Sequence, residues 1–165
     1  MPFGPYDLCE YWRLLILAEM TADARRTITT TYSGAGVVSF DDPCGQLVVS
    51  PERIFRYVVF PIEATDEEQC NQGHIGVDLL CTLVRCVPVM DDRGRPPAAA
   101  ALSLANANVL ADSQSVWEAV SNPIPVAKEW SRALVDQTFI GGDGGAIAVE
   151  TRWTIGLNES VWCET

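Results

Sequence analysis

The stretch Ala146-Ile147-Ala148-Val149-Glu150-Thr151-Arg152-Trp153-Thr154-Ile155-Gly156-Leu157 decides the fold class. Ile147, Val149, Thr151, Trp153, Ile155 and Leu157 fall on one side of an extended chain. Ala148, Glu150, Arg152, Thr154 and Gly156 fall on the other. Successive side chains of a strand point to opposite faces, so one face is buried and one is wet, as in an antiparallel sheet. Just upstream, Gly141, Gly142, Asp143, Gly144 and Gly145 separate this run from a second apolar run at 134–140, which predicts a hairpin.

Working back, residues 75–87 form a longer strand pattern. Ile75, Val77, Leu79, Cys81 and Leu83 share one face, and Leu80 and Val84 make the other partly apolar. A strand apolar on both faces is central or covered. Three shorter β-like runs are expected at 37–40, 46–50 and 53–60. The turn-like segments 41–45 and Ser50-Pro51-Glu52 separate them. Two helices flank this material. Near the N-terminus, Leu8, Trp12, Leu15, Ile16 and Met20 recur at three- and four-residue spacing. Asp7 and Glu10 suit a capping box there, and Arg25 and Arg26 suit the negative C-terminal end. The β-branched run 27–31 disfavours helix, and residues 33–36 break the chain. The second helix follows Pro96-Pro97 and covers about 98–121, with Leu102, Ala105, Val109, Val116, Trp117 and Val120 on its apolar side. A short helical piece is expected at 127–133. The sum is one α+β domain over 1–165, a mostly antiparallel sheet with two main helices packed on one face and long hairpin loops.

Composition narrows the function. Twenty-two acidic residues oppose 11 basic ones, giving a formal charge of −11. Binding to nucleic acid is driven by cations that displace counterions from phosphate, and anionic lipid is held the same way. Neither fits this balance. The most apolar run, Leu14-Leu15-Ile16-Leu17-Ala18, is far below the roughly 20 residues of a membrane span. The N-terminus lacks a basic region ahead of an apolar core, so no secretory signal is read. On that footing Cys9, Cys44, Cys70, Cys81, Cys86 and Cys163 are expected as reduced thiols in a cytosol. Their spacing lacks the close pairs of a zinc site, and Cys81 and Cys86 fall on opposite strand faces.

Chemistry-bearing patterns are weak. His74 is the single histidine, and with Cys70 and Asp78 it can be written as a nucleophile–base–acid set. An exposed loop histidine is the plainer reading, because no cysteine-hydrolase signature surrounds Cys70. The Gly-rich 141–145 segment is flanked by strands and lacks lysine, unlike a phosphate loop. The acidic segment with Glu63, Asp66, Glu67 and Glu68 lacks the ligand spacing of a calcium loop. The adjacent pairs Asp41-Asp42 and Asp91-Asp92 sit in turns and point apart. No catalytic residue, cofactor or metal is therefore assigned. Of the five tryptophans, Trp12, Trp117 and Trp153 fit core stripes, leaving Trp130 and Trp162 as interface candidates.

A series of segments carries a resemblance. Asp41-Asp42-Pro43-Cys44-Gly45-Gln46-Leu47 comes first. Val84-Arg85-Cys86-Val87-Pro88 then leads into Asp91-Asp92-Arg93-Gly94-Arg95-Pro96-Pro97 and an alanine-rich helix. Gln137-Thr138-Phe139-Ile140-Gly141 precedes the glycine-rich tip, and Val149-Glu150-Thr151-Arg152 follows it. From about residue 7 to 160 this order resembles tail terminator proteins of long-tailed bacteriophages that infect actinobacteria. Lys128 is the only lysine, and arginine in place of lysine fits a GC-rich genome.

The resemblance implies a non-enzymatic virion protein of α+β fold, assembled in the host cytoplasm. Such a protein forms a ring, commonly a hexamer, at the head-proximal end of the tail. It ends polymerisation of the major tail tube protein and offers a surface to a neck protein. Asp91, Asp92, Arg93, Arg95, Trp130, Gly141 to Gly145 (with Asp143) and Trp162 are the expected interface residues. Asp66, Glu67 and Glu68 are lumen candidates, past which DNA slides without specific binding. The alternatives are another head-to-tail connector, such as an adaptor or stopper, a small cysteine-dependent hydrolase, or a monomeric binding domain.

Overall fold

In the computed structural model, residues 4–22, 28–34, 44–64, 74–121, 130–141 and 145–157 are described. Helix α1 (Pro5–Ala22) is followed by strands β1 (Thr30–Ser33), β2 (Gln46–Tyr57) and β3 (His74–Cys86). Helix α2 (Ala99–Ser121) and the strand pair β4 (Trp130–Gly141) and β5 (Ala146–Leu157) complete the chain. The five strands form one sheet in the order β1-β2-β3-β5-β4. All neighbours are antiparallel except β1 and β2, which are parallel. The expected α+β architecture is present.

The central strand is β3, paired with β2 on one side and β5 on the other. Its double-sided apolar pattern is what that position requires. The register sets Val77 against Ile155, Leu79 against Trp153 and Leu83 against both Val149 and Leu47. These residues form one buried face. Helix α1 covers it with Leu8, Trp12, Ile16 and Met20, and α2 with Val109, Val116, Ala119 and Val120. Trp12 and Trp153 meet edge to face at 5.4 Å in the middle of this core, a geometry that aromatic quadrupoles favour.

Several sequence expectations are corrected. The Gly4 N–H donates to the Asp7 carboxylate at 2.9 Å, so Asp7 closes the helix start from its third position. Glu10 turns instead to Arg13 and Ser33. Ser50-Pro51-Glu52 is not a turn. Strand β2 runs through it, and the register shift between Pro51 and Arg53 is a bulge that absorbs the proline's missing donor. The threonine run ends in a strand, since Thr30 and Thr31 begin β1. The piece expected as helix at 127–133 is extended from Trp130 onward. Trp117 is 42% exposed and lies outside the core. The face of β5 expected to be wet is covered at one end, where Thr154 and Gly156 are buried. The rings of Tyr57 and Phe60 sit directly over Gly156 and leave no room for a Cβ. Arg25, Arg26 and the run 37–40 lie outside the described residues.

The sharpest correction concerns the cysteines. Cys44 and Cys86 are joined in a disulfide with Cα atoms 5.0 Å apart. The pairing explains why a 42-residue gap in sequence is no obstacle. Gln46 sits opposite Val84 in the β2–β3 ladder. Extending that antiparallel register by two residues brings Cys44 opposite Cys86. Cys9 and Cys81 are free and buried, and burial pushes both thiols up to about 12. They are therefore protonated and inert in the neutral range.

Candidate functional site

The segments that carry the family resemblance are far apart in sequence, yet most of them gather at one end of the sheet. Gly45 N–H donates to the Val84 carbonyl at 2.9 Å, and the disulfide fixes Cys44 to Cys86 beside it. Past Cys86 the chain runs along the hairpin, where Val87 N–H donates to the Gly145 carbonyl at 2.7 Å. The Val89 side chain occupies the space that a Cβ on Gly145 would fill. Gly145 also has φ +85°, so glycine is required there on two counts.

Two residues further on is the turn with Asp91, Asp92, Arg93 and Arg95. One carboxylate organises it. Asp91 Oδ1 accepts from the N–H groups of Arg93 and Arg95 at 2.9 and 3.0 Å, and Oδ2 accepts from Arg95 Nε at 2.7 Å. The Arg95 N–H and guanidinium hold the Asp91 carboxyl below its ordinary range. Gly94 takes the left-handed conformation, φ +72°, that closes the turn. All four charged side chains stay exposed, so the turn is a shaped, charged projection.

Between this end of the sheet and the start of α2 lies an open cleft of about 520 Å³. Cys44, Arg85, Cys86, Pro88, Leu104 and Asn108 are among its walls. Arg85 is buried, and its Nε donates to Asp112 Oδ2 of α2 at 2.8 Å. This pair lies under the helix and ties it to β3. Nearby, Gln137 Nε2 donates to Ser113 O at 3.1 Å and to Thr151 Oγ1 at 2.8 Å, which ties α2 to β4 and β5.

The expected interface residues divide. Asp91, Asp92, Arg93, Arg95, Gly141 and Gly145 share the loop end. Trp130 pairs with Leu157 at the opposite end of β4, about 35 Å away by strand length. It is half-buried against Tyr11, with ring centroids 5.9 Å apart. Gly142, Asp143, Gly144 and Trp162 lie outside the described residues, as do Asp66, Glu67 and Glu68.

The hydrolase arrangement is not assembled among the described residues. Asp78 takes Arg53 Nε at 2.8 Å and Thr154 Oγ1 at 2.6 Å. His74 lies against the Tyr57 ring, centroids 5.6 Å apart. Four residues along one strand place His74 and Asp78 roughly 13 Å apart. Cys70 is outside the described residues. No three of the described histidine, cysteine, aspartate or glutamate residues cluster as a metal site. No described helix is long and apolar enough to cross a membrane.

Sequence reading missed the exposed apolar surface. The first two turns of α2, from Ala99 to Leu104, are exposed on every side, with Leu104 63% exposed and Leu110 59%. Phe139, Ile140, Val89 and Met90 are exposed at the same end of the molecule. The signal was present. No charge occurs from Pro96 to Ala111, and a helix without a polar face expects cover. No protein-family profile matches the chain, and no curated protein matches it either.

Proposed function

We propose that this chain is a structural subunit of a phage tail, a terminator that closes into a ring on the head-proximal end of the tail tube. The observation that carries the reading is the ordered motif series described above. Its gathering at one end of the sheet supports it. An end built from a disulfide-fixed strand start, an ordered charged turn and a hairpin tip has the shape of a docking face, because recognition loops work best on a rigid scaffold. Exposed apolar side chains at the same end supply what a permanent assembly buries.

In this reading one end of the subunit meets the tube protein or the neck protein, and flanking surfaces meet sister subunits, commonly six to a ring. The net charge of −11 lets DNA pass without being gripped. The test is assembly of purified major tail protein with and without the chain. Rings capping tubes of shortened length are expected. An unchanged length distribution refutes the proposal. Retention of duplex DNA at physiological salt refutes the sliding part of it.

A further inference from the structure

Two exposed apolar surfaces on opposite edges of the sheet match each other. The first lies along β4. Helix α2 runs antiparallel to this strand, because Arg132 Nη2 donates to the Ser121 carbonyl at 2.7 Å and Gln137 donates to that of Ser113. Two residues past Gln137, Phe139 comes level with Leu110 by the rise of strand and helix. Around the helix, Asp112 faces β3 and Ser113 faces β4. At about 100° per residue, Leu110 and Trp117 point still further round, out over the edge of β4. Leu110 is 59% exposed, Trp117 42% and Phe139 48%. Exposed carboxylates flank this stripe, Glu118 on the helix and Asp136 on the outer strand.

The second surface is the far half of β2. Strand β1 covers only Gln46 to Val49. Beyond it, Ile54, Arg56 and Val58 point to one side, and all three are exposed, Ile54 at 53% and Val58 at 50%. Arg53 lies on the other side with its guanidinium half exposed. This edge thus offers apolar side chains with two arginines, and the β4 edge offers apolar side chains with two carboxylates. The arginine between Ile54 and Val58 is on the helix side of the sheet, as is Glu118. Arg53 and Asp136 are both on the other side, since they pair with Asp78 and Arg152 on that face.

We infer that the β2 edge of one copy packs on the β4–α2 edge of the next copy. Ile54 and Val58 cover Leu110, Trp117 and Phe139, Arg56 meets Glu118, and Arg53 meets Asp136. The contact joins two different surfaces, so it is heterologous and propagates until rotation closes it. It deepens the ring reading by naming the surfaces that would make the ring.

The experiment uses two full-length variants, Ile54→Glu/Val58→Glu and Leu110→Glu/Phe139→Glu, with circular dichroism to show that each is folded. Sedimentation velocity across a concentration series should show wild-type assembly. Each variant should shift its onset on the order of tenfold or more toward higher concentration. Mixed together, the two variants should bind through their one intact pair and stop at twice the 18.0 kDa chain mass. The swap Arg56→Glu/Glu118→Arg should assemble better than either single change. Wild type that stays monomeric, variants that assemble as wild type, or variants that ignore each other on mixing overturn the inference. Tube-length control with patch variants that assemble normally sinks this contact and spares the terminator reading. Assembly through these patches with no effect on tubes does the reverse.

Discussion

Reducing the Cys44–Cys86 disulfide is the perturbation whose size follows most directly from the structure. The bond closes a chain segment with a sequence separation of 42. A cross-link stabilises chiefly by restricting the unfolded chain, with an entropy that grows as the logarithm of loop length. For this loop the entropic stabilisation is about 4 kcal/mol at 25 °C. For 165 residues, the unfolding entropy is roughly 0.35 kcal/mol/K, so Tm should fall by about 10 °C on reduction. The assay is denaturant and thermal unfolding of oxidised and reduced protein, with Cys44→Ser/Cys86→Ser as control. The control should match reduced wild type and ignore reductant. Thiol titration of the unfolded oxidised chain should miss the two thiols of this pair. A full count of six thiols without reductant, or a stability change below about 1 kcal/mol, refutes the reasoning.

Three further outcomes are expected. Asp112→Ala leaves the buried Arg85 guanidinium without its carboxylate, and chemical denaturation should show a loss of about 3–5 kcal/mol; Arg85→Met/Asp112→Leu should recover most of it. Glu10 is held down to about 2 from 4.5, first by its hydrogen bond with Arg13. A depressed carboxylate stabilises above its ordinary value and stops doing so as pH falls through its folded value, so stability should drop between about pH 4.5 and 2. Glu10→Gln should flatten that part of the pH–stability curve, and an unchanged slope would count against the α1–β1 tie. At Gly76 the Phe55 ring occupies the space of any Cβ, with its Cε atoms 2.7 and 2.8 Å from that position. Gly76→Val should therefore cost about 1–3 kcal/mol in denaturation, whereas Gly141→Ala, with open space around it, should cost far less.

The primary structure by itself determined the elements whose burial repeats with a local period. The alternation in β5, the double-sided pattern in β3 and the Leu8–Trp12–Ile16–Met20 stripe are short-range properties, and each sits as its period demands. Local reading failed where a distant partner decides. Pro51 looks like a turn until β3 lies alongside and a bulge takes up the missing N–H. Trp117 looks like core until α2 is rotated about its axis, and that rotation is set by Arg85 and Gln137 reaching it from other strands. Cys44 and Cys86 are unrelated in sequence and become partners only through the β2–β3 register.

The candidate site divides in the same way. The motif residues, the charged turn and the absence of charge from Pro96 to Ala111 are all written in the chain. Their meeting at one end of the sheet, and the opposed edges of β2 and β4, belong to the tertiary structure alone. Periodicity tells a side chain which way to point relative to its neighbours in sequence. Only packing decides whether anything stands there to cover it.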